Sequence, residues 1–370
     1  MAGEIEDQTA GAPPISLIRQ GAVAIVELRR RERRNALSRA MQAELASWPP
    51  RLARDAGNYA TLIRSAVDGV FSVGGDVREI LSLAEADVAS ARAALAAELT
   101  LCWLLECYTK PTISLIDGAV MGTGVGISLY GTHRVAGEGY RFSMPETAIG
   151  YVPDCGISHA FARMPPGIGL YLGLTGIEVG PADALALGLA THCIPREAFA
   201  AIEQHLADAD PVDPVLDSRH RQSPRGPLTE HAARIARYFH APSLAEIMSR
   251  LDNPEPEDRA WATETLATLR ARAPLALGLT FCAIRNAAAL DLRETLIQDY
   301  RLAWRLVVDP DFREGATAAL IEKGRRPRWR HARAEDVPEA AIGEFFAPLG
   351  ENELWLPARP GVAPSGHVVT

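Results

Sequence analysis

Thr112-Ile113-Ser114-Leu115-Ile116-Asp117-Gly118-Ala119-Val120-Met121-Gly122-Thr123-Gly124-Val125-Gly126 is the stretch whose reading decides the fold. An apolar, β-branched run leads into glycines at 118, 122, 124 and 126, the pattern of a strand that turns tightly into a helix. The same grammar occurs upstream, where Ala60-Thr61-Leu62-Ile63 precedes Phe71-Ser72-Val73-Gly74-Gly75-Asp76. Helix N-termini leave backbone N–H groups without intrahelical partners, so two such turns can aim donors at one point and stabilise a developing oxyanion. Taken singly, each is also an ordinary βα turn.

Downstream, Ser143-Met144-Pro145-Glu146-Thr147-Ala148-Ile149-Gly150-Tyr151-Val152-Pro153-Asp154 sets two carboxylates in an apolar segment punctuated by Gly and Pro. Glu146 and Asp154 are candidates for acid/base or nucleophilic work. The plainer readings are a helix-start carboxylate and a cap or turn residue. Glu98 falls at helical spacing on an apolar face with Leu95, Cys102 and Leu105, where a carboxylate needs a partner or a task. Its plainer reading is a helix-edge acid that reaches solvent or pairs with Arg92.

Two basic clusters suit anionic ligands. Arg29-Arg30-Arg31-Glu32-Arg33-Arg34-Asn35-Ala36-Leu37 lies between an apolar strand and a helix starting near Ser38, a suitable N-cap. Lys323-Gly324-Arg325-Arg326-Pro327-Arg328 forms the second. Cys155 and His159 are four residues apart, which serves a nucleophilic pair or the packing of one helix face, and nothing in the sequence lowers the thiol pKa. There is no Gly-x-Ser-x-Gly elbow and no completed Gly-x-Gly-x-x-Gly, so serine-hydrolase and dinucleotide readings fall away.

Taken in order and spacing, Phe71–Asp76, Asp117–Gly126 and Met144-Pro145-Glu146 resemble the crotonase superfamily, and specifically its 3-hydroxyisobutyryl-CoA hydrolase branch. The resemblance runs from about Val23 to about Gly350 and includes Asp311-Phe312-Arg313-Glu314-Gly315, Leu320-Ile321-Glu322-Lys323 and Pro327-Arg328-Trp329. Enoyl-CoA hydratases carry a second Glu where this chain has Gly126, and typically glycine at the position of Asp154; the hydrolases resemble this chain at both. The resemblance implies a β-spiral core surrounded by helices and thioester hydrolysis of a short 3-hydroxyacyl-CoA. In that scheme Glu146 is nucleophile or general base and Asp154 orients the hydroxyl or the water. The backbone N–H groups of Gly75 and Thr123 form the oxyanion hole, and Glu98 and Gly122 contact substrate. Arg34, Ala36, Leu37, Gly74, Asp76 and Lys323 line the CoA site. The chain departs from the branch in reading Gly122-Thr123-Gly124 in place of three glycines and in following Asp154 with Cys155-Gly156-Ile157-Ser158-His159. Thr123 keeps its N–H, but its Cβ crowds the approach. The alternatives are an enoyl-CoA hydratase or isomerase using Glu146 alone, and a non-catalytic acyl-CoA-binding member.

The 370 residues, 48% hydrophobic, suffice for an α/β core followed by a helical module, and no apolar run reads as long enough to span a bilayer. A formal charge of −8 argues against a nucleic-acid binder, leaving an acyl-CoA as the expected partner and a homo-oligomer, trimer or hexamer in related enzymes, as implied by resemblance. No metal or redox cofactor is implied, coenzyme A being part of the substrate. Five cysteines without metal-type spacing and an N-terminus without a secretory pattern fit a reducing cytoplasm. The expected organisation is a mobile N-terminus (1–12), a catalytic core (13–207), a connector (208–229), a helical C-terminal module (230–356) and a mobile tail (357–370).

Overall fold

The computed structural model describes residues 13–222 and 225–359. The segment 1–12 and most of the tail, both expected from sequence to be mobile, lie outside the described residues. Among the described residues nine strands run in chain order: β1 (Ile15–Gln20), β2 (Val23–Leu28), β3 (Ala60–Ser65), β4 (Gly69–Ser72), β5 (Thr112–Ile116), β6 (Gly118–Met121), β7 (His133–Ala136), β8 (Arg141–Ser143) and β9 (His192–Cys193). The larger sheet has the order β1-β2-β3-β5-β7-β9, parallel except for the β1–β2 hairpin, and the smaller is a parallel β4-β6-β8.

The chain alternates between these sheets. It leaves β3 for β4, β5 for β6 and β7 for β8, and each short strand then delivers a turn toward the same end of the molecule. This repeat is the spiral expected from the motifs. It also corrects the sequence reading, which ran the first apolar strand straight into the glycine turn: a second strand of three or four residues intervenes each time.

Four helices build the near wall: α1 (Arg39–Arg54), α2 (Val77–Ala86), α3 (Val88–Glu106) and α4 (Thr123–Leu129). Ser38 caps α1 by accepting from the Met41 N–H, and Asp76 caps α2 through the Glu79 N–H. β2 is buried along its whole length, and its side chains alternate between two cores. Ala24, Val26 and Leu28 face the large core under α1, while Val23 and Ile25 join Leu62, Ile113 and Val135 against Ile202, Leu206, Val215 and Leu216. Each such aliphatic side chain contributes roughly 1.5–3 kcal/mol on burial.

Three expectations need correction. The segment 208–229 is not a bare connector: Val212–Asp217 is a helix whose Val212, Val215 and Leu216 complete the second core, and Pro227–Glu230 is another, with Asp183 accepting from the Leu228 and Thr229 N–H groups. The tail does not begin at 357, because Pro357 O accepts from Trp103 Nε1 at 2.8 Å and Arg359 pairs with Glu106. One helix, α3, is after all long and apolar enough to cross a membrane. It is packed instead against α1, α2 and the helix Leu292–Leu306, and carries the buried Glu98.

The C-terminal module contains the helices Arg259–Arg270, Pro274–Ala287, Leu292–Leu306 and Pro310–Ala316. A capping box between Asp291 and Glu294 opens the third, and Asp309 caps the fourth with Pro310 in its first turn.

Candidate active site

The chain reversal after β6 places Gly122 at φ 48°, a left-handed value that favours glycine, and α4 starts at the next residue. Its partner loop after β4 approaches so closely that a Cβ on Gly74 would lie 3.2 Å from Met121 O and 3.4 Å from Thr123 N. Two loops far apart in sequence thus meet edge to edge. Among the described residues, neither the Gly75 nor the Thr123 N–H donates to a turn, loop or side-chain acceptor. Thr123, as the first residue of α4, has an N–H that the helix itself cannot satisfy.

Around this point lies a cavity of about 540 Å³, within the usual range for a small-molecule site. Of the residues predicted from sequence, Glu98, Glu146, Asp154, Gly75, Thr123, Gly122, Arg34, Ala36, Gly74, Asp76 and Lys323 all line it. Leu37 does not. It lies behind the wall, donating its N–H to Gly74 O at 2.8 Å and accepting from the Asp76 N–H at 3.0 Å, so it shapes the pocket without facing it.

Three carboxylates share the inner end with no cation among the residues that line it. Glu146 starts a short 3₁₀ turn (Glu146–Ile149), and its Oε2 is shut off from solvent without a hydrogen-bond partner. Burial, reinforced by the charge of Glu98, pushes Glu146 up to about 8. Asp154 is raised well above the usual carboxylate range by burial and then by Glu98, Glu146 and Asp299. Glu98 is raised by burial too, but three donors oppose this: the Thr123 hydroxyl, the Gln42 amide and the Cys155 thiol. Gln42 Nε2 donates to Glu98 Oε2 at 2.6 Å, and Cys155 Sγ lies 3.8 Å from Oε1. The donors to Glu98 come from within the site; Arg92, its plainer sequence partner, stacks instead on Trp304.

Cys155 is not on a helix with His159. It has φ 57° in the turn before the helix Ile157–Phe161, and hydrogen bonding to Cys102 and then burial hold its thiol far above the ordinary range. The position off the helix removes the helix-face packing reading, and the raised thiol argues against a Cys–His nucleophile. Cys102 and Cys155 also explain the missing acid: a Cβ on Gly126 would meet Cys102 Sγ at 2.8 Å and Cys155 Cβ at 3.0 Å, so thiols occupy the space into which a second glutamate would grow. Glu98, Asp154 and Cys155 offer atoms all within 4.8 Å of one another, the one group among the described residues with donors suited to a metal ion.

The mouth has the opposite character. Glu32, Arg33, Arg34, Arg78 and Lys323 surround it. The sequence overstated the Arg cluster: Arg29 pairs with Glu27, and Arg30 binds Asp76 Oδ2 and Ala36 O, each at 2.8 Å. Asp76 is therefore engaged with Arg30 and the α2 N-terminus while it lines the cavity. Asn35, at φ 54°, is fully buried and pins the loop by donating to Ser65 Oγ and Phe71 O and accepting from the Arg30 N–H. In the late cluster Arg325 pairs with Glu314 and Glu322, leaving Lys323 as the base from that cluster that reaches the cavity.

The late signature is a clasp. Asp309 and Asp311 bind Arg330, Glu314 binds Arg325 and the Arg328 N–H, and Phe312 packs on Tyr151 with ring centroids 5.0 Å apart. A Cβ on Gly315 would lie about 2.5 Å from Ile149 O, so the short helix Pro310–Ala316 sits directly on the turn that carries Glu146.

Sequence reasoning missed Gln42, Arg78, Tyr151 and Asp299. Gln42, a polar residue on the buried face of α1 beside Met41 and Leu45, carried a readable signal. Asp299 accepts from the Gly156 N–H at 2.7 Å beneath the site and is pushed up to about 7 by burial, a contact no spacing announces. A wider cleft of about 1220 Å³ between Leu251–Pro254, the helix Arg259–Arg270 and Arg326–Trp329 has only Asp252 as a lining carboxylate and lacks any such constellation.

Comparison with known proteins agrees with this geometry. The sequence pattern of the enoyl-CoA hydratase/isomerase family matches residues 23–346. A Xenopus tropicalis protein named 3-hydroxyisobutyryl-CoA hydrolase, mitochondrial, is 33% identical over 92% of this chain and 90% of its own length. An Arabidopsis thaliana protein named 3-hydroxyisobutyryl-CoA hydrolase 1 is 30% identical over 92% and 93%. Among solved structures, an enoyl-CoA hydratase from Rhodobacter sphaeroides superposes with TM-score 0.87 at 33% identity, covering 93% of this chain and all of its own. A carnitinyl-CoA dehydratase from Mycobacterium thermoresistibile gives 0.86 at 32%, covering 94% and 99%. Spiral, facing glycine turns and family pattern coincide, and the chain belongs to the enoyl-CoA hydratase/isomerase family of the crotonase superfamily.

Proposed function

We propose that this chain hydrolyses the thioester of a short 3-hydroxyacyl-CoA, with 3-hydroxyisobutyryl-CoA, the compound named in its relatives, as the first candidate. The observation that carries the reading is the arrangement of acids: Glu98 and Asp154 face Glu146, while the space at Gly126 is filled by two thiols. A two-glutamate hydration of a double bond has no room for its second acid.

The acyl carbonyl oxygen accepts from the Gly75 and Thr123 N–H groups, which stabilise the tetrahedral oxyanion; one such donor is typically worth about 10²–10³ in rate. Glu146 in its ionised form either attacks the carbonyl carbon, expelling the CoA thiolate and leaving a mixed anhydride that water cleaves, or removes a proton from the attacking water. Both routes end in the free acid and CoA. Asp154 and Glu98 orient the substrate hydroxyl and the water. Arg33, Arg34, Arg78 and Lys323 supply positive charge for the phosphates at the mouth. The proposed reaction uses no metal or redox group, and its place is the cytoplasm or the organelle named in the relatives.

The enoyl-CoA hydratase and the carnitinyl-CoA dehydratase among the similar solved structures favour a second reading, turnover at a double bond without release of CoA. One experiment separates them. The protein and its Glu146→Gln variant are given 3-hydroxyisobutyryl-CoA and crotonyl-CoA while free thiol and enoyl absorbance are followed. Thiol release that vanishes in the variant supports hydrolysis; enoyl loss without thiol moves the chain to the hydratases.

A further inference from the structure

Thr123 is where the glycine turn departs from three successive glycines, and its side chain is almost fully buried. The hydroxyl does not point away from the chemistry. Thr123 Oγ1 and Glu98 Oε2 both lie 3.1 Å from the position a Cβ on Gly75 would take, with Gln42 Nε2 at 3.9 Å, and the hydroxyl beside the carboxyl helps to hold Glu98 down against the effect of burial. Gln42 donates to the same oxygen at 2.6 Å from α1, and the Cys155 thiol sits against the other oxygen. Glu98 is thus held by Gln42 from α1, with the Thr123 hydroxyl at the start of α4 close by, and it lines the cavity.

The other two acids lack such a frame. Glu146 Oε2 has no partner, and Asp154, with the Cys155 thiol as its donor, faces Glu98, Glu146 and Asp299 as like charges. Resting on the proposed hydrolase reading, we propose that Thr123 and Gln42 are positioning residues that clamp Glu98 as a fixed acceptor for the acyl hydroxyl. The side chain at 123 thereby sets the preference for hydroxylated over plain acyl thioesters.

The test compares the wild type with Thr123→Val, Thr123→Ser and Gln42→Leu on 3-hydroxyisobutyryl-CoA and isobutyryl-CoA, reading kcat/KM for each. Valine keeps the shape and removes the donor. The expected result is a fall of roughly tenfold in the ratio of the two kcat/KM values for Thr123→Val and for Gln42→Leu, the scale of one hydrogen bond to a charged group, with recovery in Thr123→Ser. A ratio within twofold of wild type in both unclamped variants, or an equal loss on both substrates, would overturn the clamp. A readout without turnover keeps the clamp separate from the function: the Glu98 carboxyl carbon, labelled with ¹³C and assigned with Glu98→Gln, should titrate higher in Thr123→Val. If the wild type releases no thiol while that titration still moves, the hydrolase reading fails and the clamp stands; an unmoved titration overturns the clamp.

Discussion

The two ends of the candidate active-site cavity are built from opposite materials. At the inner end Glu98, Glu146 and Asp154 are gathered under low solvent exposure with no lining base; at the mouth Arg33, Arg34, Arg78 and Lys323 stand in exposed or half-exposed positions. The inner acids are governed by desolvation, which raises all three. The mouth is governed by long-range charge in water, which salt screens. Chemistry and recognition therefore answer to different variables, and each can be disturbed without the other.

The largest effect should come from the inner end. Glu146→Gln is expected to lower kcat by about 10³-fold or more, within the span of lost nucleophilic or general-base action, with KM little changed, as read by thiol release. Asp154→Asn should cost about 10–100-fold in kcat/KM for the hydroxylated substrate, since a buried polar contact is mismatched. Next in size is the pH profile. Glu146 works ionised and is held near 8, so kcat/KM should climb about tenfold per pH unit below that value and level off above it; a flat profile from pH 6 to 9 would break the assignment. At the mouth, Arg34→Ala with Lys323→Ala should raise KM by about tenfold and flatten its salt dependence while leaving kcat within twofold.

The smallest effect is on stability. An acid raised in the folded state favours folding while it stays neutral, at pH below its unfolded value, and that advantage is lost as pH rises through about 8. Glu146→Gln should thus raise Tm by a few degrees at pH 8.5 and hardly at all at pH 5, as measured by thermal unfolding in the two buffers.

The site was far more legible than the route the chain takes to build it. Glu146, Asp154 and the two glycine turns carry chemistry in their residue types and spacing, so they could be named from sequence and are found around one cavity. The strands β4, β6 and β8 are too short to give a period-2 pattern, which hid the second sheet. Val212, Val215 and Leu216 lie among prolines and aspartates, whose composition masked a helix that seals a core. The Arg cluster misled because charge counts residues and not partners: Arg29 and Arg30 are consumed internally. Gln42 and Asp299 act through space across elements, which no local window can see.

The clasp of Phe312, Gly315 and Arg330 onto the Glu146 turn has a consequence for biosynthesis. A chain made from its N-terminus presents all three carboxylates long before the segment that walls them in, since Phe312 and Lys323 line the same cavity. Until that segment is made, Phe312, Leu320 and Lys323 are missing from the cavity wall. The cavity wall is complete only when Pro310–Ala316 and the segment through Arg330 have left the exit tunnel, so a chain terminated before Asp309 is expected to show no turnover.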